Sequence, residues 1–228
     1  MESGERTISG QTLSAVQIAG LAAVNGPVHL VDCHFEDTAI TRLDLTGWRF
    51  ERCNLRRARL DDTRLEGSYW QSCRGGLAGF PGADLTDARF VSCDFNNAGF
   101  RGAQLSGTMF TGCKLTGADF AEARTLGLTF AETLLIGASL VGHTFRKQIM
   151  DKVDLSQADL RRCDFRGAVL VDCSLRDANV SGARFENADL RLADLGGIRL
   201  VDATLYRGAI ISHKQAGQLL AELGLLVG

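Results

Sequence analysis

The chain has 228 residues, with 25 Lys and Arg against 27 Asp and Glu and a formal charge of −2, so a strongly polyanionic body is excluded. Only two prolines in a chain that is 45% hydrophobic argue against a disordered tail, and no apolar run is long enough to span a bilayer. Seven cysteines, an odd number, and no charged start followed by an apolar run and cleavage site predict a reducing, cytoplasmic location.

Residues 1–27 precede a regular beat. Ile8, Leu13 and Ile18 are five apart in a frame of their own, which predicts a degenerate first coil joined to the main one by a slip near Gly26-Pro27. The alternative is a capping helix over 12–24, weakened by Gly20.

From residue 28 one frame holds. Leu30, Phe35, Ile40, Leu45, Phe50, Leu55, Leu60, Leu65 and Trp70 are five apart, the beat resumes at Leu85, and it runs on to Ile210. Residues 103–120 give it most cleanly: Ala103-Gln-Leu105-Ser-Gly, Thr108-Met-Phe110-Thr-Gly, Cys113-Lys-Leu115-Thr-Gly, Ala118-Asp-Phe120. A helix needs apolar spacings of three and four and a strand needs two, so a strict five requires a corner in every repeat. Two residues before each core position lies a second, small inward position, as at Ala58, Ala83, Ala98 and Ala158. Every cysteine occupies it. Cys33, Cys53, Cys73, Cys93 and Cys113 are 20 apart, Cys173 is in phase with them and Cys163 is not, which implies a four-sided coil of 20 residues with parallel pairing between coils. Small apolar packing is the expected role of these thiols. Gly recurs two residues after the core, where some corners are expected to need a positive φ.

The first coils keep the beat, and three later stretches and the C-terminal end depart from it. Between Val28 and Trp70 the outward charges are mixed and read as a solvated surface. Over 74–82, Gly75 takes one core position and Phe80 the next, which leaves either a degenerate pair of sides or a small outward loop. Thr125 takes a core position in a weaker fault at 124–128. Over 143–153, His143 and Gln148 fall on small inward positions, and Phe145-Arg146-Lys147-Gln148-Ile149-Met150 forms either a partner-binding protrusion or an irregular coil. Those six residues and Phe80 are the candidate partner-binding group. Asp154, Asp159, Asp164, Asp172, Asp177, Asp189 and Asp194 are the candidate acidic surface, interrupted by Arg161, Arg162, Arg166, Arg176 and Arg191. After Leu205 the period changes. Ser212 and Gln215 read as a capping box, Ala216, Leu219, Leu220 and Leu223 as a helical stripe, and Leu225-Leu226-Val227 as a short strand.

Units such as Ala83-Asp-Leu85-Thr-Asp, Ala118-Asp-Phe120-Ala-Glu and Ala158-Asp-Leu160-Arg-Arg give the chain a resemblance to pentapeptide-repeat proteins, whose pattern is A(D/N)LXX. The resemblance covers roughly residues 28–210. It implies an all-β fold, a right-handed quadrilateral β-helix, here with a C-terminal capping helix and a short strand. The expected divisions are 1–27 as degenerate coil or cap, 28–210 as β-helix and 211–228 as helix and dimerisation tail. That tail is similar to the tail of the Qnr-type quinolone-resistance branch, which implies a homodimer through Leu219, Leu220, Leu223, Leu225, Leu226 and Val227.

The same branch implies a function: a DNA-like rod that binds DNA gyrase or topoisomerase IV and protects it from a poison. About nine coils at about 4.8 Å would give about 45 Å per chain. No catalytic constellation accompanies His29, His34, His143 or His213, and no cysteine or histidine spacing suggests zinc. The expectation is therefore a protein that is not an enzyme, with no cofactor, no direct nucleic-acid ligand and no membrane partner. A structural or interaction scaffold without a topoisomerase target is the alternative.

Overall fold

The sides of a strand alternate every second residue, so a side chain that must point inward every fifth residue forces the backbone round a corner. The computed structural model describes residues 6–24, 26–198, 202–222 and 224–225. At the corner from Leu45 to Trp48, the Trp48 N–H donates to the Leu45 carbonyl at 3.1 Å, and Gly47 between them has φ +70°. A left-handed third residue is the type II arrangement. The same corner position is left-handed at Arg57, Asp62, Leu77, Asn97 and Gln157, so the turn belongs to the fold and not to glycine. At Gly107 a Cβ would lie 2.3 Å from an Asp87 carboxylate oxygen, so a larger residue there would have to displace that side chain.

Four such sides close a coil. The chain divides after Leu128 into two compact units. In the first, β1 (Arg6–Ser9), β2 (Val28–Val31), β3 (Arg49–Glu51), β4 (Tyr69–Gln71), β5 (Arg89–Val91) and β6 (Met109–Thr111) pair in chain order, all parallel. Leu30 faces Phe50, Phe50 faces Trp70, Trp70 faces Phe90 and Phe90 faces Phe110, a step of 20. The other sides are single bridges at the same step, such as Asn54 to Arg74, Arg59 to Gly79 and Arg64 to Asp84. In the second unit β7 (Thr129–Ala131), β8 (Ile149–Asp151) and β9 (Val169–Val171) pair likewise, with Met150 opposite Leu170. Each unit is thus built from the four-sided parallel coils that the five-residue beat implies.

The step places like residues above one another at the strand spacing, which is also a ring-stacking distance. Phe50, Trp70, Phe90 and Phe110 stack with centroids 3.8, 5.4 and 4.6 Å apart, and Phe80, Phe100 and Phe120 at 5.1 and 4.9 Å. In the second unit Phe145, Phe165, Phe185 and Tyr206 stack at 4.9, 4.9 and 5.0 Å.

The polar grammar also has a cause. A carboxylate one residue before the core accepts the N–H one residue after it, as from Thr86 to Asp84 at 3.0 Å and Ala121 to Asp119 at 2.9 Å, so Asp and Asn pin each side to its corner. The cysteines pin another corner. Cys53, Cys73 and Cys93 Sγ donate to the carbonyls of Glu51, Gln71 and Val91 at 3.5, 3.4 and 3.4 Å, and to those of Leu30, Phe50 and Trp70 at 3.4, 3.3 and 3.5 Å. In the second unit Thr133 bonds the Ala131 carbonyl at 2.7 Å through its hydroxyl. All seven thiols are free and buried.

Several irregular stretches behave differently from one or other expectation. In the first coil Arg6 faces Val28 and Thr12 faces His34, a step of 22, and α1 (Ala15–Ala22) takes up the excess. Both features weighed for residues 1–27 are present: Ile8 pairs with Leu30, while Ile18 is buried from a helix whose capping box is Ser14 and Gln17. Residues 74–82 stay in line, with bridges from Arg74 to Asp94 and Gly79 to Gly99, because the Phe95 ring fills the space that Gly75 leaves. Residues 143–153 also stay in line: β8 runs through them and Thr144 bridges Asp164. No protruding loop exists at either stretch.

After the first coil, the frame shifts once among the described residues. Leu175 and Asp177 N–H groups bond carbonyls nineteen residues on, at Asp194 and Gly196, whereas Phe185 and Asn187 reach twenty on, to Leu205 and Arg207. A 3-10 turn, Ala203–Tyr206, capped by Asp202, belongs to this longer coil. Tyr206, not Leu205, therefore stacks on Phe185, and Ile210 is left 49% exposed. No helix among the described residues is long and apolar enough to cross a membrane.

Candidate protein-interaction surfaces

Side chains that a partner could touch are those one residue either side of the core and those at corners, since the core position itself faces inward. This rule divides the first candidate group. Phe80, Phe145 and Met150 are buried, with Phe80 stacked on Phe100 at 5.1 Å and Phe145 on Phe165 at 4.9 Å, so they form core and not a contact surface. Gln148 is half-buried, and its carbonyl accepts from the Val169 N–H at 2.9 Å. Arg146, Lys147 and Ile149 are exposed, Ile149 by 75%, and Lys147 holds a left-handed corner. The group thus reduces to two cations beside one apolar side chain.

The acids fall on all four sides of the second unit. Asp154 and Asp194 share one side with Ser174 between them, Asp159 and Asn179 share the next, Asp164 and Arg184 another, and Asp189 lies beyond Val169 on the fourth. Asp172 and Asp177 occupy left-handed corners. All five of the side acids accept the N–H two residues on, at 2.9 to 3.3 Å. Four also carry an arginine: Arg161 to Asp159, Arg166 to Asp164, Arg191 to Asp189 and Arg176 to Asp194, at 2.6, 2.6, 2.6 and 2.8 Å. Hydrogen bonds from the arginines hold the carboxyls of Asp159, Asp164 and Asp189 below the usual carboxylate range. In sequence these arginines read as interruptions of the acidic surface, whereas in the structure they are its partners. The signal was the triplet Asp-Leu-Arg or Asp-Phe-Arg, because residues flanking one core position point out together.

At the C-terminal end α2 (His213–Glu222) closes the coil. Gln215 is buried and works twice. Its Oε1 accepts the Ser212 N–H at 2.6 Å while the Ser212 Oγ accepts the Gln215 N–H at 3.3 Å, the capping box read from sequence. Its Nε2 donates to the carbonyls of Leu190 and Ala193 at 2.6 and 2.7 Å, the first of which also accepts the Ala193 N–H of its own corner at 2.9 Å, so the amide ties the helix to the last coil. Leu219 is buried beside a small apolar cavity shared with Leu190, Leu195, Ile198 and Tyr206. Leu220 and Leu225 are 38% and 53% exposed, and Ile210 and Ile211 are also partly exposed. Leu223, Leu226 and Val227, with the strand expected over 225–227, lie outside the described residues apart from Leu225.

Among the described residues no group of three or more His, Cys, Asp and Glu side chains could hold a metal ion. His143 is buried, with Nδ1 3.3 Å from the Val141 carbonyl, and burial lowers its pKa. Burial pushes the Cys163 thiol up to about 12 and Cys173 to about 11, so these are poor nucleophiles.

The family model described as pentapeptide repeats matches residues 29–69, 83–121, 129–167 and 168–205. A comparison with curated protein sequences finds no match. Among solved structures, full-length QnrB1, a plasmid-mediated fluoroquinolone resistance protein, is similar at 21% identity and a TM-score of 0.58, over 96% of this chain and 100% of that one. A trypsin-treated QnrB1 variant gives 21% identity and 0.59 over 98% of each chain. HetL, a pentapeptide repeat protein involved in heterocyst differentiation regulation from the cyanobacterium Nostoc sp. strain PCC 7120, is 19% identical with a TM-score of 0.38, over 84% of this chain and 92% of that one.

Proposed function

The chain belongs to the pentapeptide repeat family, and from that premise we propose that it binds a bacterial type II topoisomerase, DNA gyrase or topoisomerase IV, and protects it from a poison. The consequence for the cell is antibiotic resistance or self-immunity. The observation that carries this reading is the match in fold to a fluoroquinolone resistance protein over 98% of both chains. The C-terminal end is consistent with it: Gln215 and Leu219 close the coil, while Leu220 and Leu225 stay exposed for a second copy. On this reading the protein is a cytoplasmic homodimer joined through its tail, acting by contact and not by catalysis, and Arg146, Lys147 and Ile149 are a candidate contact to the enzyme. A direct test is competition: purified gyrase should bind the protein, and linear duplex DNA should displace it. Gyrase binding that DNA leaves untouched would refute the shared-site part of the proposal.

One observation favours the alternative of an interaction scaffold. The acids of the second unit are spread over four sides and mostly paired with arginine, so no single side there repeats the charge of a phosphate backbone. If the scaffold reading holds, neither gyrase nor topoisomerase IV will be retained by the protein at any salt concentration.

A further inference from the structure

The column of outward residues after the core on one side of the first unit runs Glu36, Arg56, Gly76, Asn96, Thr116, at the 20-residue step. Gly76 therefore leaves a gap between the side chains of the coils before and after it. The gap is a notch of about 360 Å³ lined by Arg56, Arg74, Leu77, Asp94, Asn96 and Asn97 around Gly76. Its floor is firm: Arg57 N–H bonds the Gly76 carbonyl at 3.1 Å, Gly75 N–H the Asp94 carbonyl at 2.7 Å and Leu77 N–H the Asn96 carbonyl at 2.9 Å.

Two features separate this notch from ordinary surface. The first is charge. Neighbouring arginines are paired across coils, Arg52 with Asp32, Arg57 with Asp37 and Arg64 with Asp44, but Arg56 and Arg74 form no ion pair among the described residues. Arg74 and Asp94 are even register partners. The second is strain. Leu77 is 53% exposed and sits at φ +62°, a corner conformation that elsewhere in the described chain is held mainly by Gly, Asp, Asn and charged or hydroxyl residues. A leucine in that conformation is disfavoured by its Cβ, and with half its surface in water it recovers little of that cost from burial.

We propose that the notch is a docking site for an acidic peptide segment of a partner protein, in which Arg56 and Arg74 hold a carboxylate and Leu77 packs against an adjacent apolar side chain. The mixed lining selects this ligand class. Guanidinium groups match a carboxylate in two-pronged geometry. The side-chain amides of Asn96 and Asn97 can donate to a peptide backbone, while Asp94 in the same lining limits the notch to a single carboxylate between the two arginines and opposes a run of repeated negative charge such as a nucleic acid. The site lies within the first unit and stands apart from the topoisomerase reading, so either can fail alone.

The probe is a fluorescein-labelled hexapeptide of alternating Glu and Leu, with a Gln-for-Glu control, followed by fluorescence anisotropy and by the Arg Nε–H resonances in NMR. Gly76→Asn supplies the variant that separates binding from folding. Gly76 is not left-handed, and a Cβ there meets only the Asn96 carbonyl at 3.7 Å, so the variant fills the notch without strain. It should unfold at the wild-type temperature and bind at least about tenfold more weakly. Arg56→Gln and Arg74→Gln should each cost roughly tenfold, the worth of one charge-assisted bond. Leu77→Gly should raise the unfolding temperature yet weaken binding, which no structural role for Leu77 predicts. The proposal is overturned if the Gln peptide binds as well as the Glu peptide, if Gly76→Asn leaves affinity unchanged, or if millimolar peptide moves neither arginine resonance. It is equally overturned if a single-stranded oligonucleotide, and not the peptide, shifts both arginines.

Discussion

Gly75 and Phe95 make a linked pair, and exchanging their bulk tests how the coils fill their interior. Gly75 stands where neighbouring coils place Leu55, Phe95 and Leu115, and the Phe95 ring lies against it. A Cβ on residue 75 would meet three ring carbons at 2.0, 2.3 and 2.8 Å, none of which can retreat freely, because the ring is held edge-on by Trp70 and Phe90 at 6.1 and 5.4 Å and tilted against Phe80 at 5.8 Å. Gly75→Leu should therefore destabilise by at least about 1–3 kcal/mol through overpacking. Phe95→Ala should cost about 3–5 kcal/mol through the cavity it opens. Gly75→Leu combined with Phe95→Ala returns apolar volume to the same space, so the double variant should be more stable than the sum of the singles by at least about 2 kcal/mol. Guanidinium unfolding followed by tryptophan fluorescence reads this directly, since Trp70 touches the ring. Additivity within about 0.5 kcal/mol would show that the two positions do not share one space.

Three further outcomes follow from the geometry. Gln215→Ala removes two bonds to the last coil and half of a capping box, and should cost about 2–3 kcal/mol in unfolding free energy, with amide exchange accelerated in α2 and around Ala193; unchanged exchange would contradict the closing role. The seven buried thiols should resist a water-soluble disulfide reagent in the native protein and all react in denaturant, and Cys73→Ser, which keeps a donor for the Phe50 and Gln71 carbonyls, should be better tolerated than Cys73→Val, as thermal melts would show. His143 is buried with its pKa lowered from 6.5, so its stability contribution is fully present above that value and is lost as the pH falls below it. His143→Ala should flatten the pH dependence of the unfolding midpoint below pH 6.5, and an unchanged slope would refute the assignment.

The sequence alone reveals the coil because its signal repeats: five residues between Leu30 and Phe35, and 20 between Cys33 and Cys53, say the same thing many times. It fails where one event decides the outcome. The extra residue between Gly196 and Leu205 leaves apolar residues on the old beat, so nothing in the pattern betrays that Tyr206 takes the stacking position. The apparent fault at 74–82 stays in line because one large neighbour from the next coil, Phe95, fills the space, and that at 143–153 because the inward position accepts the buried His143 side chain itself. Distance along the chain hides that compensation. For the candidate surface, alternation on a short side makes Phe145 and Met150 inward and Arg146 and Ile149 outward, and the beat itself should have said so.

The most direct measurement is gyrase supercoiling in the presence of a fluoroquinolone, with and without the purified protein. Topoisomerase protection predicts that activity returns as the protein is added, and that a variant with Leu220→Glu and Leu225→Glu, checked for retained fold, restores less. If supercoiling stays inhibited at every protein concentration, and parallel assays with topoisomerase IV and with other cleavage-stabilising poisons give the same answer, the protection reading is wrong.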